Sequence, residues 1–179
     1  FLFASFNAPH TPMQATKADL ALYSHIKDSK RRTYAAMVHR LDINVGRIIG
    51  ALKEYSLDKN TLVVFISDNG GPIDNGSINS PYNGKKGTLL EGGVHVPFIL
   101  NWPKTLPSGE TYSHMVSSLD IVPTFLAFAG GNVKEYPFSG TNLMPYLMKG
   151  SKQIPHDNLM WRFTISAAIR EGDYKLIRL

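Results

Sequence analysis

Hydrophobic positions along this chain follow two different periods that alternate. Residues 62–66, Leu62-Val63-Val64-Phe65-Ile66, are consecutive apolar residues bounded by Lys59-Asn60-Thr61 and Ser67-Asp68-Asn69-Gly70-Gly71. A run of that kind without polar alternation predicts a central parallel strand covered on both faces. Before it, Tyr34, Met37, Val38, Leu41, Val45, Ile48, Ile49, Leu52 and Tyr55 recur at steps of three and four, which predicts an amphipathic helix over 33–55. Residues 2–6 predict a short buried strand that Pro9 and Pro12 bring to an end. Residues 72–93 contain seven Gly or Pro and little periodicity, so they predict a long loop, and loops of that length in compact domains are commonly functional.

Residues 94–101 predict another strand, with Pro97 implying an edge or an irregular start. Asp120 is placed to cap a helix with Pro123 in its first turn and Gly130-Gly131 at its end, and 142–149 gives a shorter helical stretch. The tail reads as antiparallel: 159–163, 167–170, a Glu171-Gly172-Asp173 turn, then 174–179. Strands alternating with helices, followed by a small antiparallel group, predict an α/β fold.

Composition narrows the function classes. Among 179 residues, 19 Lys and Arg oppose 14 Asp and Glu for a net charge of +5, and the charged fraction is only 18%. The longest basic run is Lys30-Arg31-Arg32, too little clustering for a nucleic-acid partner. A 43% hydrophobic share with two Trp, eight Tyr and nine Phe supplies a core and excludes wholesale disorder. No apolar stretch reaches the length of a membrane span. Cysteine is absent, which removes disulfides, thiolate metal ligands and a cysteine nucleophile from these residues and leaves the compartment open. The chain opens inside the apolar run Phe1-Leu2-Phe3-Ala4 and closes inside a strand pattern, so it is expected to be a fragment.

Candidate chemistry gathers where predicted strands run into loops. Asp68 and Asn69 put two hard oxygen donors at the carboxyl end of the 62–66 strand, with Gly70 and Gly71 letting the backbone turn away, as a Ca²⁺ or Mg²⁺ site requires. The same four residues are also ordinary turn chemistry. His10, clamped in Pro9-His10-Thr11-Pro12, is either a surface turn histidine or a general acid with a pKa in the neutral range. Asn83-Gly84-Lys85-Lys86-Gly87-Thr88 lacks the spacing of a phosphate-binding P-loop, so its lysines are either solvated or close to an oxyanion.

In combination these segments resemble the type I sulfatases. The resemblance is carried by Pro9-His10-Thr11-Pro12, by Ser67-Asp68-Asn69-Gly70, by Lys86-Gly87 with Glu91-Gly92-Gly93, by Ser118-Leu119-Asp120-Ile121-Val122-Pro123-Thr124, and by Ala168-Ile169-Arg170-Glu171-Gly172-Asp173-Tyr174. It implies an alkaline-phosphatase-like sandwich, a large mixed sheet between helices with a small C-terminal antiparallel sheet. Residues 1–150 would be the C-terminal half of the catalytic α/β domain and 151–179 the start of the small subdomain.

The resemblance also implies a sulfuric ester hydrolase acting on an aryl sulfate or a sulfated carbohydrate. Asp68 and Asn69 would hold a divalent cation, Ca²⁺ before Mg²⁺, while Lys86 and His10 would bind the sulfate ester and serve catalysis. The family nucleophile, a formylglycine made from Cys or Ser, is not found in these residues and is expected in a missing N-terminal half, together with two further metal aspartates. Phosphoester or phosphonate hydrolysis on the same fold, and an inactive fragment, are the alternatives; Asn69 in place of a histidine favours a hard cation over paired transition metals. His25, His39, His114 and His156 read as ordinary surface or core histidines. His95 reads the same way, with approach to substrate as the alternative because it occupies a position where the family often carries Arg. Glu91 reads as a hydrogen-bond partner within its loop, Lys85 receives no role, and 27–32 reads as a solvated approach to the helix.

Overall fold

The computed structural model describes residues 1–148, 151 and 153–178. It divides into two compact units, one formed by Phe1–Thr61 and Ser67–Phe98, the other by Leu62–Ile66 and the residues from Ile99 onward.

The first unit is built on a helical pair. Thr16 caps α1 (Lys17–Leu22), its Oγ accepting from the Asp19 N–H at 3.1 Å and donating to Asp19 Oδ2 at 2.7 Å. Arg40 of α2 (Ser29–Glu54) donates to both oxygens of the same carboxylate, at 2.5 and 3.2 Å, and so fastens the two helices together. α2 begins four residues before the start at 33 that its apolar period predicts. Asp28 caps it by accepting from the Arg31 N–H at 2.6 Å, and the helix-favouring residues Lys30, Arg31 and Arg32 form its first turn. That stretch is therefore part of the helix and engaged, not a solvated approach: Arg31 reaches the Gly76 carbonyl at 3.0 Å and Arg32 grips the Ile26 carbonyl with two N–H groups. The apolar stripe of α2 is half-buried, as its spacing predicts, with Ala36 fully covered.

Residues 2–6 form no strand. Strand backbone needs a neighbour to take its N–H and C=O groups, and 2–6 pair with no strand among the described residues; Leu2 and Phe3 are 73% and 80% exposed. The 72–93 loop is irregular as expected, apart from a single 3₁₀ turn at Ile73–Asn75, and it runs into one helical turn, α3 (Glu91–Val94). Residues 91–94 are thus helical where a strand was expected to begin at 94.

In the second unit, β1 (Val63–Ile66) lies beside β2 (Phe98–Asn101), which starts only after Pro97 has ended the helical turn. All four β1 residues are half-buried, because β1 has one neighbouring strand among the described residues and is not closed off on both faces. α4 (Ile121–Phe128) differs at its start. Asp120 does not cap it; a 3₁₀ turn, Ser118–Asp120, precedes the helix and is closed by reciprocal bonding of Ser117 and Asp120, with the Ser117 N–H donating to Asp120 Oδ2 at 2.7 Å. α5 (Met144–Leu147) is shorter than the pattern suggested, and Lys149 lies outside the described residues.

The tail is the predicted antiparallel sheet, β3 (Asn158–Phe163), β4 (Ser166–Glu171) and β5 (Tyr174–Arg178) in that order. Its register aligns Met160, Ile169 and Leu176 across the three strands. The turn between β4 and β5 needs only Gly172 and Asp173, and Gly172 takes the positive φ of 53° that such a turn demands. No helix of the described residues is long and apolar enough to cross a membrane.

Candidate active site

The candidate residues assemble in the first unit, where two glycine-rich loops touch backbone to backbone. Just past β1, the Ser67 N–H donates to the Pro97 carbonyl at 3.3 Å and the Ser67 hydroxyl donates to the Asn69 carbonyl at 3.0 Å, closing a tight turn. The Gly70 N–H then donates to the Gly93 carbonyl at 2.9 Å, and the Gly92 N–H to the Asn83 carbonyl at 2.7 Å. No larger residue fits this approach. A β-carbon on Gly70 would strike the Gly92 carbonyl, one on Gly92 the Gly84 carbonyl, and one on Gly93 the Thr88 and Lys85 carbonyls. The Asp-Asn-Gly-Gly and Glu-Gly-Gly motifs are therefore two sides of one contact.

This frame leaves its polar side chains turned outward. Asn69 donates its Nδ2 to the Gly70 carbonyl at 3.1 Å, which presents the amide oxygen on the other side. That oxygen and both Asp68 carboxylate oxygens accept no hydrogen bond among the described residues, and Asp68 is exposed. Adjacent acceptors of this kind, with the amide donor already engaged, suit a hard cation. They are only part of a shell: Ca²⁺ takes six to eight oxygens, and no cluster of three His, Asp or Glu side chains exists among the described residues.

Lys86 and His10, 76 residues apart, meet at the same place. The His10 Nδ1 lies 2.8 Å from the Thr11 carbonyl, which can only accept, so Nδ1 carries the hydrogen. The lone pair is then on Nε2, and Lys86 Nζ sits 3.4 Å from it. The Lys86 backbone N–H points to the Gly71 carbonyl at 3.4 Å, two residues beyond Asn69, and Gly87, at φ 83°, turns the chain immediately afterwards. All four residues singled out from the sequence thus belong to one unit, although no hydrogen bond joins the Asp68-Asn69 pair to His10.

Other residues resolve differently. His95 stacks on Tyr82, with ring centroids 4.5 Å apart and planes 27° apart, and its Nδ1 is 3.3 Å from the Glu91 carboxylate, so Glu91 is a partner inside its loop as expected. His156 is a core histidine with its ring satisfied: its Nε2 lies 2.8 and 2.9 Å from the two oxygens of the fully buried Asp120. Sequence reading also passed over Asn75 and Asn79, whose side chains tie the loops together. Two asparagines in a loop already rich in Gly and Pro look like turn formers, and only the contacts distinguish them.

Comparison with known proteins now decides the family. The sulfatase family model matches residues 1–131, and the model for the C-terminal part of N-sulphoglucosamine sulphohydrolase matches 84–179. This chain belongs to the sulfatase family. Arylsulfatase H of Homo sapiens is 37% identical over 168 residues, covering 88% of this chain and 29% of that protein. N-acetylgalactosamine-6-sulfatase of Sus scrofa is 33% identical over 155 residues, covering 84% and 28%. The crystal structure of Ps i-CgsB in complex with k-i-k-neocarrahexaose matches with a TM-score of 0.88 at 41% identity, covering 96% of this chain and 39% of that one. The fold is accordingly that of the alkaline-phosphatase-like sulfatases, of which this chain holds part of the layered domain and the small antiparallel sheet. It spans about a third of the length of the curated relatives it matches. The family as a whole works with a divalent cation and a formylglycine.

Proposed function

We propose that this chain is the C-terminal part of a sulfuric ester hydrolase, with 1–150 belonging to its catalytic α/β domain and 151–179 opening the small subdomain. The carrying observation is the Lys86–His10 contact at 3.4 Å, made across 76 residues and beside the loop that bears Asp68 and Asn69. An ammonium, an imidazole and two free oxygen donors in one unit suit a doubly charged cation and a sulfate ester.

Asp68 and Asn69 are the residues of this chain that would hold the cation, a hard one because both donors are oxygens, with Ca²⁺ before Mg²⁺ as the family resemblance implies. A bound divalent cation supplies positive charge to the sulfate oxygens. Lys86 adds a further positive charge that binds sulfate and offsets charge in the transition state. His10 holds its Nδ1–H against Thr11 and presents Nε2, which in the doubly protonated ring carries the proton that passes to the departing oxygen. The formylglycine nucleophile and the remaining cation ligands belong to an N-terminal part of the same protein. The N-acetylgalactosamine-6-sulfatase relative and the neocarrahexaose complex support a sulfated carbohydrate as the substrate class, and the arylsulfatase relative supports an aryl sulfate.

The test uses the full-length protein carrying this chain, with a nitrophenyl sulfate, a sulfated sugar and the matching phosphate esters. Sulfate esters are expected to be hydrolysed faster than phosphates; the reverse order would overturn the assignment. His10→Ala is expected to cost roughly 10²-fold or more on the sugar sulfate and far less on the nitrophenyl sulfate, whose leaving group departs without a proton. Equal losses on both would return His10 to a turn residue.

A further inference from the structure

The two loops that carry the candidate cation ligands and Lys86 are joined by one side chain, Asn79. Its Oδ1 accepts from the Gly71 N–H at 3.0 Å. Its Nδ2 donates to the Gly71 carbonyl at 2.8 Å and to the Gly84 carbonyl at 3.1 Å. Both amide hydrogens and the amide oxygen are therefore used, and the orientation is fixed: turned over, the oxygen would face two carbonyl oxygens. Gly71 lies two residues beyond Asn69, and Gly84 two residues before Lys86. The carboxamide caps both polar groups of one peptide position as a neighbouring strand would, then reaches across to the other loop. The same segment also touches the third loop, since Asn75 Nδ2 lies 3.4 Å from the carbonyl of Pro9, the residue before His10.

We infer that Asn79 is a positioning residue, one that sets the spacing between the Asp68-Asn69 pair and Lys86 and so matches the cation to the sulfate it shares with the lysine. The inference rests on the reading of those residues proposed above. Asn79 touches neither ligand; it acts through the backbone at Gly71 and Gly84. A side chain that only filled the space between loops would be replaceable by any residue of its shape. A positioning role needs the two donors.

Asparagine-to-aspartate replacement separates the two cases because it keeps the shape and exchanges the donor nitrogen for an oxygen that repels both carbonyls. In the full-length protein, Asn79→Asp and Asn79→Ala are compared with the unchanged protein by calorimetric titration with Ca²⁺ alone and by inhibition with inorganic sulfate. Both affinities are expected to fall together, on the order of 10-fold to 100-fold, the scale for groups that orient metal ligands, with Asn79→Asp at least as impaired as Asn79→Ala. Should Asn79→Asp fail to fold, Asn79→Ser, which keeps one donor in a smaller volume, is read in the same way. Wild-type affinities in Asn79→Asp would overturn the inference while leaving the function intact, and so would failure of every variant to fold, which would make Asn79 a folding residue. An unchanged protein that binds neither Ca²⁺ nor sulfate would overturn the functional reading and this inference with it.

Discussion

Two aspartate and histidine sets in this chain use the same functional groups to opposite ends. In the second unit, Asp120 is fully buried, and its carboxylate accepts from the Ser117 N–H at 2.7 Å, from the Thr141 N–H at 2.8 Å and meets His156 Nε2. Each oxygen has two polar contacts, and the group is tied into the fold. In the first unit, Asp68 is exposed and its carboxylate accepts no hydrogen bond among the described residues, while His10 keeps one nitrogen pinned and turns the other to Lys86. There the satisfied groups are backbone ones, Gly70 with Gly93 and Gly92 with Asn83. Saturating side chains builds structure, whereas saturating the backbone beneath them leaves side chains free to react.

The largest effect expected from this contrast is on stability. Asp120→Ala would leave two backbone N–H groups and the His156 ring without their partner, at a cost of about 1–3 kcal/mol for each group left unsatisfied. Urea unfolding of the full-length protein reads the loss, and the turnover of molecules that remain folded should be unchanged. A drop in turnover without a drop in stability would break the contrast, because it would give Asp120 a share in the chemistry.

Lys86→Ala is the reverse experiment. It is expected to lower kcat by roughly 10²–10³-fold, about 2.7–4 kcal/mol of barrier, as when one preorganised donor to developing negative charge is removed. Inhibition by inorganic sulfate should weaken as well, since the charge that Lys86 meets is present before the reaction starts. The unfolding midpoint should stay where it was, because the ammonium's contact, at 3.4 Å to an exposed histidine, contributes little to folding. A protein that unfolds early and keeps its kcat would show that Lys86 belongs with Asp120.

The contrast also explains which parts could be read from the sequence. Helix α2, the β3–β5 sheet and the Asp-Asn-Gly-Gly turn were legible because each depends on local periodicity or on glycines that only a tight turn needs. His10, Asp68, Asn69 and Lys86 were legible only as a combination, through the resemblance to sulfatases; singly, each has an equally good bland reading. Residues 2–6 misled because apolar content says that a segment seeks cover, not that a partner strand is present. Asp120 misled because a carboxylate just before a helix is ordinarily a cap, and its partners other than Ser117, namely Thr141 and His156, are 21 and 36 residues away. Asn79 left no trace at all, as its hydrogen bonds are to backbone and any sequence supplies those.

Asp19 offers the smallest effect and the finest test, because it is a saturated carboxylate in the unit that carries the reactive ones. The Arg40 guanidinium, hydrogen-bonded to both of its oxygens, and the Thr16 hydroxyl hold its carboxyl below the ordinary value of 3.8. A group whose pKa is lowered by folding stabilises the folded state above its ordinary pKa, and that contribution is lost as the pH falls through the lower, folded value. The aspartate is 5% exposed but Arg40 is 51% exposed, so solvent screens the pair and its contribution is modest. Asp19→Asn cannot titrate. The stability gap between the unchanged protein and Asp19→Asn should therefore be constant from neutral pH down to about pH 5, then narrow progressively below 3.8. Unfolding midpoints taken from pH 7 downward at low and high salt would measure it, with the gap smaller at high salt. A gap that persists unchanged into strong acid would mean that packing of α1 on α2, and not the Asp19–Arg40 charge pair, joins the helices, and Asp19 would lose its place as the saturated counterpart of Asp68.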